Sequence, residues 1–126
     1  AGNAGAQSAA RMVRAIATGD VISRDWFRML LREIGLGLML GLTMAAAVAA
    51  IGLYRGGAEL AHVVSLTMVI VVLSGSLIGM SLPFVLNKLN MDPATASAPV
   101  VSFIADVAGI LVYFGLASAL LSIPAQ

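Results

Sequence analysis

Asp106 is the residue of this sequence with the most chemistry to account for. It is the only charged side chain between Pro93 and Pro124 in an otherwise apolar stretch. A carboxylate near the middle of a membrane helix costs about 2.5–3.5 kcal/mol to insert, so it needs a partner, a water-filled cavity or a cation. No Lys or Arg lies at comparable depth in the other long uncharged runs. A salt bridge is therefore a poor explanation, which leaves protonation, water or a bound cation. Pro99, Ser102, Asp106, Gly109 and Tyr113 follow steps of three and four, placing them on one helical face with Ser102 a turn before the carboxylate. That face predicts a polar lining. Gly109 leaves room beside the carboxylate, and Pro99 would free backbone carbonyls near the helix start for water or a hydrated ion.

Other side chains offer less. His62 is the only histidine and falls at the edge of a long apolar run, where an interfacial role is the simpler reading. The methionines, from Met12 to Met91, are scattered rather than clustered as a soft-metal pathway would need. Ser65, Thr67, Ser74, Ser76 and Ser81 could line water or bond backbone carbonyls. No serine is paired with a base, no metal-ligand cluster occurs and no glycine loop precedes a helix, so no enzymatic constellation is present. Cysteine is absent, which excludes disulfides, thiolate metal sites and thiol nucleophiles.

The elements that must position Asp106 follow from composition. With 60% hydrophobic and 10% charged residues in 126 positions, and a mean hydropathy of +1.02, the chain cannot clothe a water-soluble domain. A net charge of +1 without a basic, aromatic-interleaved block also sets nucleic-acid binding aside. The fold class is an all-α membrane protein, a single membrane domain over 1–126. Long apolar runs, the third interrupted by the single charge of Asp106, predict transmembrane helices at 34–54, 63–82 and 100–123, each near the ~20 residues that cross a ~30 Å hydrocarbon core. They are preceded by an amphipathic, cytoplasmic or interfacial helical segment over 6–33. Within it a first helix over 6–18 ends at Gly19, and Ser23 caps the next start, which continues into the first span. Trp26 and Phe27 anchor that helix at the headgroups, while Arg24, Arg28 and Arg32 share a solvated or lipid-facing basic face. Arginines concentrated before the first span place 6–33 and the loop around Lys88 in the cytoplasm, with 55–59 and the C-terminus outside. Small residues at four-residue spacing, Gly37/Gly41/Ala45/Ala49, Gly75/Gly79, Ala105/Gly109 and Gly115/Ala119, are candidate faces for close helix packing. The sequence starts at Ala1 and its first ten residues lack the order of a signal peptide, so it reads as a fragment or a processed chain.

The opening Gly2-Asn3-Ala4-Gly5-Ala6-Gln7, Thr18-Gly19-Asp20 ahead of an arginine-rich helix, and Met91-Asp92-Pro93-Ala94-Thr95-Ala96-Ser97-Ala98-Pro99 leading into Ile104-Ala105-Asp106-Val107 and Tyr113-Phe114-Gly115 occur in that order. Together they resemble the membrane domain of MgtE-type magnesium transporters and channels, over essentially the whole chain. The resemblance implies a homodimer in the bacterial inner membrane with five membrane helices per subunit, of which this chain is the last three. It also implies N-terminal helices and magnesium-sensing cytoplasmic domains in a longer chain. It implies a cation pathway along the dimer axis with Mg2+ as the transported ion, and the metal residues Asp106 as the pore carboxylate, Ser102 on the turn whose carbonyl faces the ion, and Asn3 from the Gly-Asn motif. Ala6 departs from the asparagine often found in that motif.

The expected function is membrane transport of a divalent cation, with membrane lipid as surroundings and no nucleic-acid partner. The alternatives are a non-transporting scaffold whose protonated Asp106 is an interhelical hydrogen-bond group, and a proton-coupled carrier using Asp106 as relay.

Overall fold

The computed structural model describes residues 1–19 and 25–121. Among them every regular element is helical: α1 (Gly2–Ala17), α2 (Trp26–Lys88), a short 3-10 turn (Pro93–Thr95) and α3 (Ala98–Leu120). The expected cap at Ser23, together with Asp20 and Arg24, lies outside the described residues, as do positions 122 and 123 of the third expected span.

Helix α2 is two helices joined by one residue. Gly57 takes φ 81° and ψ −177°, a backbone region open essentially to glycine alone, and it reverses the chain between an arm over 26–56 and an arm over 58–88. The two arms lie antiparallel. Gly52 packs on Ala61, Gly41 on Val69 and Gly37 on Leu73, and the Ser65 hydroxyl, donating to Ala61 O at 2.6 Å, lies 3.4 Å from Ala45 O of the first arm. A methyl placed on Gly41 would meet Val69 Cα at 3.1 Å, so the small-residue face is what lets the backbones approach. In lipid, where apolar surface gains nothing by leaving the solvent, this close packing is the main force between helices. The expected spans 34–54 and 63–82 fall inside the two arms, and the loop expected over 55–59 contracts to the single break at Gly57. Thr67 and Ser74 donate to the carbonyls of Val63 and Ile70 one turn back, at 2.7 and 2.8 Å, so these hydroxyls are satisfied within their own helix.

Helix α1 starts at Gly2 rather than Ala6. It ends with Thr18 as C-cap and Gly19 at φ +74°, the left-handed residue expected there. Its buried face is Gly2, Ala4, Gly5, Ser8, Ala9 and Met12, a stripe at helical spacing that packs between α2 and α3. Ala9 joins Ala96 and Val101 in a small core, with Leu82 and Leu86 packed against it. The turn after α2 is fixed by Asp92, whose carboxylate accepts from Ala94 N at 3.0 Å, and by Asn90 at φ 57°.

Candidate functional site

Asp106 meets the start of α1. The Gly2 amide donates to Asp106 Oδ1 at 2.8 Å, and the Ser102 hydroxyl donates to Gly2 O at 3.2 Å. One residue of α1 is thus held by two residues of α3 spaced one helical turn apart. Glycine and alanine open the space for it. Gly5 sits against Gly75 O, Ala105 and Val101; a methyl on Gly75 would lie 2.9 Å from Ala1 Cα; a methyl on Gly79 would collide with the Gly5 backbone. The Gly75/Gly79 and Ala105/Gly109 pairs are accordingly real packing faces, and what they receive is α1. Gly115 has no neighbour within 4 Å of where its methyl would stand.

This arrangement answers how an unpaired carboxylate is tolerated. The Gly2 N–H donates to the carboxylate directly, so the anion has a hydrogen-bond donor without a basic side chain. Asp106 is still 61% exposed, and among the described residues its Oδ2 receives no hydrogen bond. The carboxylate faces an open cleft of about 420 Å3 lined by Ala1, Val71, Gly109, Ile110, Tyr113 and Phe114. The two rings pack edge to face at 5.5 Å.

The three sequence candidates differ in their placement. Ser102 and Asp106 are joined through Gly2. Asn3 follows Gly2 in the first turn of α1 and is exposed, with no hydrogen bond to either among the described residues. Tyr113 lines the cleft. Pro99 occupies the first turn of α3, where its missing N–H leaves no helical bond unmade, so it starts the helix instead of freeing carbonyls beside the carboxylate. His62 is exposed elsewhere, in a cleft with Glu59 and Leu120. No three His, Cys, Asp or Glu side chains converge among the described residues.

A second polar cluster escaped the sequence reading. Glu33, only 6% exposed, accepts from the Ser8 hydroxyl and from Arg11 Nη2, the latter at 2.9 and 3.2 Å to its two oxygens. The Ser8–Arg11 spacing of three was a usable signal for one helix face; their partner on α2 carried none.

The model of the MgtE family, described as a divalent cation transporter, matches residues 1–116. The chain is 42% identical over 120 residues to the magnesium transporter MgtE of Thermus thermophilus, covering 95% of this chain and 27% of that protein. Over 119 residues it is 34% identical to the magnesium transporter MgtE of Enterococcus faecalis and 30% identical to that of Bacillus subtilis, covering 94% of this chain and 26% of each relative. The chain thus spans about a quarter of the length of the curated relatives it matches. On the family match and these identities, the chain belongs to the MgtE family of divalent cation transporters, which are not enzymes.

Proposed function

We propose that this chain is the ion-path part of a magnesium transporter, and that Asp106 binds the passing cation. The observation that carries the reading is the division of labour on one carboxylate: Oδ1 is held by the Gly2 amide while Oδ2 accepts no hydrogen bond among the described residues, and the side chain borders an open cleft. A carboxylate needed only to tie two helices has no reason to keep an oxygen free. The relatives' designation as magnesium transporters supports the choice of ion.

Mg2+ prefers oxygen ligands and gives up its water reluctantly. A roomy site with one fixed carboxylate therefore holds it through its hydration shell, with Ser102 and Asn3 at the same level as further oxygen sources. Two copies of the chain facing each other would supply two carboxylates and balance the double charge. Each elementary charge crossing the membrane gains about 2.3 kcal/mol per 100 mV, and a divalent ion about twice that, so inward flux needs no other energy source.

In this reading the spans are 34–54, 63–82 and 100–123, within one membrane domain over 1–126. Residues 6–33 and the Lys88 loop lie on the cytoplasmic side and the C-terminus outside, in a bacterial inner membrane. The working unit is a homodimer embedded in lipid, completed by N-terminal helices and cytoplasmic sensor domains.

The test is voltage-driven Mg2+ flux into vesicles carrying the full-length protein. Asp106→Ala abolishes flux, and Asp106→Asn, which keeps a neutral hydrogen-bond acceptor for Gly2, abolishes it too. The Gly2–Asp106 hydrogen bond favours the scaffold as a second reading. Wild-type flux in the Asn variant would overturn the ion-site assignment in its favour.

A further inference from the structure

We propose that Glu33 is a positioning residue for the ion site: by gripping Ser8 and Arg11 it sets where along its axis α1 stands, and hence where the Gly2 amide meets Asp106. The inference rests on the reading of Asp106 as the ion-binding carboxylate. The inward face of α1 is built mainly of Gly2, Ala4, Gly5, Ser8, Ala9 and Met12. Glycines and alanines let helices come close but interdigitate little, so they leave sliding along the axis weakly opposed. Directional bonds must fix it. Among the described residues the side-chain bonds tying α1 to other elements form two sets. One is Gly2 with Ser102 and Asp106 on α3; the other is Ser8 and Arg11 with Glu33 on the first arm of α2. Ser8 stands six residues from Gly2, about 9 Å along a helix, so a displacement at one end of this rigid rod is delivered to the other.

The second set is built to resist displacement. Ser8 donates to Glu33 Oε1 and accepts from Arg11 Nη2 at 3.0 Å, while the same Nη2 reaches both carboxylate oxygens, closing a triangle of hydrogen bonds. Glu33 is buried and Arg11 about half exposed. The space beside them is small, about 150 Å3, and is lined by the apolar Met12, Ala15, Met29, Leu36 and Met80 together with the exposed Arg32. Turning away from Ser8 and Arg11 would face the Glu33 carboxylate with a largely apolar wall whose one cation, Arg32, is itself exposed, which holds it to its partners.

The experiment measures the concentration dependence of Mg2+ flux in vesicles carrying the full-length protein, normalised to folded protein. Glu33→Gln and Arg11→Ala raise the half-saturating concentration about tenfold or more, the range seen when groups supporting a metal ligand are removed, with maximal flux near wild type. Arg11→Lys, which keeps the charge, restores half-saturation towards wild type. A merely structural role would instead lower maximal flux with the amount of folded protein and leave half-saturation unchanged, and that result overturns the proposal. If Glu33→Gln does not fold, the half-exposed Arg11 pair of variants carries the same comparison. Asp106→Ala is run in parallel. If it abolishes flux while half-saturation stays unchanged in the others, only the positioning role falls; if it transports like wild type, the ion-site reading falls, and the positioning role with it.

Discussion

At the scale of single residues, Asp106 was legible because a charge inside an apolar run stands out, and its cost demands an explanation. Its partner was not. Gly2 lies 104 positions away and acts through a backbone amide, which every residue but proline possesses and no side-chain pattern marks. The three compensations open to sequence reasoning, protonation, water and a cation, omitted the one the fold supplies, a backbone N–H of the neighbouring helix α1. Gly2 itself can be tested. A methyl on Gly2 would stand 2.6 Å from Asp106 Oδ2, so Gly2→Ala pushes against the oxygen that accepts no hydrogen bond among the described residues. The expected outcome is a raised half-saturating Mg2+ concentration at unchanged protein yield, measured by the same flux assay. An unchanged value would mean that this oxygen does not receive the ion.

At the scale of elements, the arms of α2 and the body of α3 were readable from long apolar runs, the last broken only by Asp106, and Gly37, Gly41 and Ala45 from their spacing as a packing face, though not which helix it meets. The role of α1 was not readable. Its inward face carries no large aliphatic residue except Met12, so the arginines on its other positions dominated the pattern and suggested a helix outside the bundle. Packing by glycine and alanine leaves almost no hydropathy signal, because its energy comes from close backbone approach. The turn at Gly57 was hidden for a related reason: a one-residue reversal needs a backbone conformation, not a polar loop. At φ 81° and ψ −177° any L-residue is strained by about 1–3 kcal/mol. No atom lies within 4 Å of where a methyl on Gly57 would stand, so the effect of Gly57→Ala isolates backbone strain from crowding. A lowered melting temperature in detergent is expected, with the helical circular dichroism of the folded state preserved. An unshifted melting temperature would show that the arms are joined by some other backbone geometry.

At the scale of the whole molecule, α1 is tied to the first arm of α2 through Glu33 and to α3 through Asp106, so the proposed ion site is a property of three packed elements and not of one polar helix face. Much of the outer surface is apolar, with Met39, Leu42, Phe103, Leu111 and Phe114 well exposed, as suits lipid or a second subunit. Orientation across the bilayer rests on the basic residues. Arg11, Arg14, Arg28 and Arg32 lie in α1 and the start of α2, Lys88 lies at the far end of the hairpin's second arm, and the Gly57 turn lies at the opposite end of both arms. In the orientation proposed above, which keeps arginine and lysine on the cytoplasmic side, the Gly57 turn faces outward. This stretch contains no cysteine, which makes single reporters clean once any cysteines elsewhere in the full-length protein are replaced. Glu59 and Met91 are both exposed, one beside the Gly57 turn and one beyond Lys88. Glu59→Cys should react with a membrane-impermeant maleimide added to spheroplasts, and Met91→Cys only after the membrane is opened. The reverse pattern would invert the topology, and with it the direction in which the membrane potential drives a cation past Asp106.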